Sequence, residues 1–104
     1  MQGEIILPPI KTFTIEDSVK DQARKVLEEA AELFAEVNEY AACQKICNDA
    51  SFGWSYRENA ILEAMDTIQA VCNLLEMLDV WNDDIVEAYE AVVRKNQLRG
   101  RYEG

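Results

Sequence analysis

The chain has 104 residues, room for one domain rather than two, and its 20 acidic against 10 basic side chains leave a net charge of −10. That balance speaks against binding nucleic acid through bulk electrostatics, which needs a basic surface. There is no histidine, and Cys43, Cys47 and Cys72 form no Cys-x-x-Cys pair, so a Cys/His zinc site is excluded and the thiols read as reduced, in a cytoplasmic protein.

Residues 1–13 read as an extended arm, because Pro8-Pro9 blocks helix. Neither a signal peptide nor an apolar run long enough to span a membrane is found, so no membrane partner is expected. From residue 14 onward a single domain is expected. Thr14 is the expected N-cap of a first helix, with Glu16 and Asp17 in its first turn. Val19, Ala23, Val26, Ala30, Leu33, Val37 and Tyr40 recur in alternating steps of four and three, an apolar helical face reaching into the forties. Leu27, Phe34 and Ala41 widen that stripe, and a break after Val37 is allowed for. Asn48 to Gly53 read as a loop. Ser55-x-x-Glu58 reads as a capping box opening a second helix that runs to about Leu78. Its first face carries Ile61, Ala64, Met65, Ile68, Val71, Cys72 and Leu75. Leu62, Ala70, Leu74 and Met77 lie on the other, beside Glu63, Asp66 and Asn73. A helix apolar nearly all round is expected at the centre of a bundle. Asn82 caps a third helix, Asp83 and Asp84 fill its first turn, Arg94 and Lys95 suit its C-terminal end, and Gly100 stops it. The fold class is all-α, a bundle of three to four helices completed by forming a homodimer or homotetramer.

Two acidic pairs stand out, Glu29-x-x-Glu32 and Glu63-x-x-Asp66. The i, i+3 spacing puts both carboxylates of a pair on one helix face, where like charges repel. The plainer reading is a solvated acidic face. Against it, Glu28, Glu29, Glu32, Glu36 and Glu39 are opposed locally by Lys25 alone. The second pair lies on a helix with little polar surface, and a buried carboxylate needs a cation or a proton. Facing pairs would hold a hard cation such as Mg²⁺, with Mn²⁺ as the alternative. A cation between carboxylates also makes room for a polyphosphate on an acidic protein.

The stretch Lys25-Val-Leu-Glu28-Glu29-Ala-Ala-Glu32-Leu resembles the EExxE motif of the MazG-like, all-α nucleoside triphosphate pyrophosphohydrolases. Glu63-Ala-Met-Asp66 is similar to their ExxD motif, and Lys95-Asn96-Gln-Leu-Arg99-Gly-Arg101-Tyr102 is similar to the tail of small, phage-type members. The resemblance covers residues from about 20 to 102. It implies hydrolysis of a nucleoside triphosphate between its α- and β-phosphates. Glu29, Glu32, Glu63 and Asp66 would hold Mg²⁺, Glu28 or Glu29 would act on the water, and Lys95, Asn96 and Arg99 would meet the phosphates. The stretch between the acidic motifs is long for the family, with the extra residues at 40–57. Phosphoribosyl-ATP pyrophosphohydrolase shares the fold and a similar acidic stretch, and a non-catalytic helical interaction protein is the rival from another class. Phe52, Trp54 and Tyr56 read either as a stacking surface for a nucleobase, with Trp54 the substrate contact, or as packing against the bundle. Trp81 reads as a core or interface residue, and the cysteines read as packing residues.

Overall fold

The computed structural model describes residues 3–46 and 50–102, with the side chains of residues 45–46 and 50–54 outside that description. Three helices follow one another, α1 (Val19–Ile46), α2 (Ala50–Met77) and α3 (Asn82–Leu98), and no strand occurs among the described residues. The all-α expectation holds. No described helix is long and apolar enough to cross a membrane. The chain forms two compact units, one of residues 11–78 and one that joins residues 3–10 to residues 79–102.

The first unit is a helical hairpin. Gln22 bonds to Ala70, and Glu29 and Glu32 meet Glu63, so positions rise along α1 as they fall along α2 and the two run antiparallel. The apolar stripe of α1 supplies the reason to pair. The stripe is continuous through Val37, and so is the helix, which extends unbroken over 28 residues. The helix does not start at Thr14. Ser18 is the cap, its Oγ accepting the Asp21 N–H at 3.1 Å, with Asp21 in the first turn. The residues before it are committed elsewhere. The Phe13 N–H donates to Asn73 Oδ1 at 3.1 Å, and Gln69 Nε2 donates to the Lys11 carbonyl at 2.7 Å. Those bonds hold residues 11–13 along α2 and leave the first helical turn to begin after Ser18.

α2 begins earlier than its expected capping box, so Ser55 and Glu58 lie inside the helix and cap nothing. Residues 50–53 are helical rather than looped. A single glycine costs about 1 kcal/mol against alanine, too little to stop a helix continued on both sides. Asn48 and Asp49, expected in that loop, and Cys47, expected to pack, fall outside the described residues. The helix ends where the Leu78 N–H shares the Leu74 and Leu75 carbonyls, and Asp79 follows with a left-handed φ of 57°.

Among the described residues the buried ones are few: Cys43 and Ala70, together with the amides Gln22 and Asn73. Cys72 is half-buried, so Cys43 and Cys72 are packing residues as expected. Part of the expected apolar surface stays open. Leu27 and Phe34 are 71% and 70% exposed, and on α2 Ile61 and Leu62 also face solvent. A two-helix hairpin covers one face of each helix, not the second.

In the second unit α3 is capped by Trp81 rather than Asn82. The Trp81 N–H donates to Asp84 Oδ2 at 2.9 Å, and Asp83 and Asp84 occupy the first turn. Trp81 itself is exposed in the single chain, which removes the core half of its core-or-interface expectation. The C-terminus closes with Gly100 at φ 69°. Its N–H donates to the Gln97 carbonyl at 3.0 Å and the Arg101 N–H to the Asn96 carbonyl at 2.9 Å, the paired bonds of a Schellman cap.

Candidate metal centre and adjoining pocket

Glu29 and Glu32 stand one turn apart on α1, and Glu63 faces them from α2. One carboxylate oxygen from each lies within 4.8 Å of the others. Glu32 is exposed, while Glu29 and Glu63 are partly covered. The Oε2 atom of Glu63 is sealed from solvent and has no hydrogen-bond partner. Burial pushes the Glu63 carboxyl above its ordinary value of 4.5. The charges of Glu32, Asp66 and Glu29 push the same way, as does a hydrogen bond to Glu32 that only the protonated form retains. Hence the cluster carries more negative charge than its surroundings balance.

Lys25 provides part of the balance. Its Nζ sits 3.1 Å from Glu29 Oε1 and 3.8 Å from Glu28 Oε2. The hydrogen bond to Glu29 and the Glu29 charge raise the ammonium above 10.5, with Glu28 and Glu32 adding to the effect and desolvation opposing it. Glu28 is exposed and bound to Lys25. Asp66 is also exposed, against the expectation that both α2 acids are shielded, and it lies outside the three-carboxylate group. Its charge still reaches Glu63. The i, i+3 step does not by itself explain the split, since Glu29 and Glu32 share it and both join the group.

Beside this cluster, and sharing Glu29 with it, is an open pocket of about 200 Å³. Phe13, Ile15 and Ala70 form its apolar part. Gln22, Gln69 and Asn73 contribute amides, and Glu16, Lys25, Glu29 and Asp66 contribute charge. Sequence reasoning passed over Phe13, Gln22 and Gln69. Their one signal was amide side chains, Gln69 and Asn73, one turn apart on a nearly apolar helix.

The remaining expected site residues belong to other parts of the chain. Lys95 and Asn96 lie in the last turn of α3 and Arg99 is its C-cap. Trp54 falls within α2, not in a loop before it, and its side chain is outside the described residues.

Three carboxylates converging from two helices, one with an unpartnered sealed oxygen, are a donor set suited to a hard divalent cation. No protein-family model matches the chain, and neither a curated protein nor a solved structure matches it.

Proposed function

We propose that the protein is a divalent-cation-dependent nucleotide pyrophosphohydrolase of the MazG-like kind, converting a nucleoside triphosphate to its monophosphate and pyrophosphate. One observation carries the reading: the carboxylates of Glu29, Glu32 and Glu63 converge, and Glu63 also carries a sealed, unpartnered Oε2. Glu29, Glu32 and Glu63 would hold Mg²⁺ or Mn²⁺, with Asp66 as the fourth acid at the pocket edge. The bound cation supplies charge screening for the phosphates and a water of lowered pKa. Glu28 and Glu29 are the acids assigned to orient that water and accept its proton. Lys95, Asn96 and Arg99 are assigned to the phosphates by the motif resemblance, in a homodimer or homotetramer.

Incubation with a panel of ribo- and deoxyribonucleoside triphosphates and Mg²⁺ should release pyrophosphate. Glu32→Gln and Asp66→Asn should each lower the rate by about 100-fold, as expected when a cation-binding or proton-transfer group is lost. Full activity in both variants would overturn the assignment.

The Lys25–Glu29 ion pair favours a second reading, in which the acids neutralise themselves and the hairpin is an interaction scaffold. Thermal melting separates the two. A cation that binds only the folded state raises Tm, whereas a scaffold shows no shift at millimolar Mg²⁺, with or without nucleotide.

A further inference from the structure

We infer that the pocket beside the acidic cluster seats the base of the substrate nucleotide and favours bases that carry an exocyclic amino group. The inference rests on the proposed nucleotide chemistry for the word substrate, and on the pocket alone for the choice of base.

The amides are oriented by backbone partners, which removes the usual ambiguity between nitrogen and oxygen. Gln22 Nε2 donates to the Ala70 carbonyl at 3.0 Å, so its Oε1 is the end left over. Gln69 Nε2 donates both to the Lys11 carbonyl and, at 3.0 Å, to Asn73 Oδ1, so its Oε1 is also left over. Asn73 Oδ1 accepts from Phe13 N–H and Gln69 Nε2, which leaves Nδ2 as a donor. Anchoring the arm accounts for one end of Gln69 and of Asn73, and the contact between α1 and α2 for one end of Gln22. The other ends have no partner among the described residues, although Gln22 and Asn73 are only 3% and 4% exposed. Neither Gln22 Oε1 nor Asn73 Nδ2 is sealed as Glu63 Oε2 is, so both ends stay open to water or to a ligand.

The unspent set is rich in acceptors. Gln22 Oε1, Gln69 Oε1 and the carboxylates of Glu16 and Asp66 accept, Asn73 Nδ2 donates, and Lys25 is already held by Glu29. A base whose edge offers an amino group beside a ring nitrogen matches that set. An edge with an oxo group at the same place sets lone pairs against lone pairs. The half-exposed Phe13 ring supplies a flat face for stacking. The volume is below the several hundred Å³ of sites that enclose whole ligands, which suits one ring system with the sugar and phosphates extending toward Glu29.

The test uses the full-length, ¹⁵N-labelled protein without cation, titrated with cytidine, uridine, adenosine and inosine while the side-chain amide resonances of Gln22, Gln69 and Asn73 are followed. Cytidine and adenosine should shift these resonances in a saturable way, and their oxo partners should bind at least about 5-fold more weakly, the loss expected for one mismatched hydrogen bond. Phe13→Ala, at an exposed position, should weaken both members of each pair while keeping their ratio. Gln69→Leu, with its fold checked by the backbone spectrum, should shrink the ratio. Equal binding within each pair, shifts confined to other residues, or no saturable shift would overturn the inference. Because the probes lack phosphate, the two readings fail separately. Pyrophosphate release without amino selectivity sinks the pocket assignment, and selective nucleoside binding without pyrophosphate release sinks the hydrolase.

Discussion

Lys25 and Glu63 act on the acidic cluster in opposite ways: Lys25 neutralises charge there, whereas burial and the neighbouring carboxylates disfavour the charged form of Glu63. Lys25 neutralises Glu29 at 3.1 Å, on the same side chain that a cation would need. Lys25→Met should therefore lower Tm without cation, most visibly at low ionic strength, and enlarge the rise produced by Mn²⁺. An Mn²⁺-induced shift identical to that of the parent protein would show that Lys25 does not compete. For Glu63 the sign follows from its raised pKa. Between the unfolded value near 4.5 and the higher folded value, the folded state binds more protons than the unfolded state. Stability then falls as pH rises through that window. Glu63→Gln removes this term, so the cation-free variant should gain in Tm relative to the parent as pH is raised from 4.5 to 7. It should also lose most of the Mg²⁺-induced rise. Melting curves that stay parallel across that range would rule out the strained carboxyl.

At the scale of the element, three helices and an acidic face were legible because periodicity and carboxylate spacing are local properties of a sequence. The ends were less so. Thr14 and Ser18 are both acceptable caps, and only the long-range bonds from Asn73 and Gln69 to the segment before α1 decide between them. The pocket was invisible for the same reason, since Phe13 and Asn73 meet across 60 positions. The acid pairs were half legible: spacing set Glu29 beside Glu32, but which of Glu63 and Asp66 faces them depends on how α2 packs against α1. Cap substitutions separate these boundaries. Ser18→Ala should cost about 1 kcal/mol in denaturant unfolding, and Thr14→Ala close to nothing. Equal losses would return the helix start to Thr14. At the far end, Gly100→Ala forces a side chain into the left-handed region, and its cost should be about 1 kcal/mol.

For the molecule as a whole, the hairpin of α1 and α2 has more apolar surface than it covers. Leu27 and Phe34 lie on α1, and Ile61 and Leu62 on α2, all substantially open to water. Full burial of such a side chain is worth about 1.5–3 kcal/mol, so a few of them covered by a second copy would offset much of the cost of association. Two hairpins meeting through these faces would complete a four-helix bundle, the arrangement in which helices apolar on two sides are satisfied. The high net negative charge opposes self-association, so the apolar contact must outweigh a repulsion that salt weakens. Two expectations follow for light scattering coupled to size-exclusion chromatography. The parent protein should elute at a multiple of 11.9 kDa and associate more tightly at higher salt. Leu27→Glu combined with Phe34→Glu should shift it toward the monomer, with helical circular dichroism retained because neither side chain is buried in the hairpin. A parent protein that runs as a monomer at high micromolar concentration and high salt would show that these faces meet something other than a second copy of the chain.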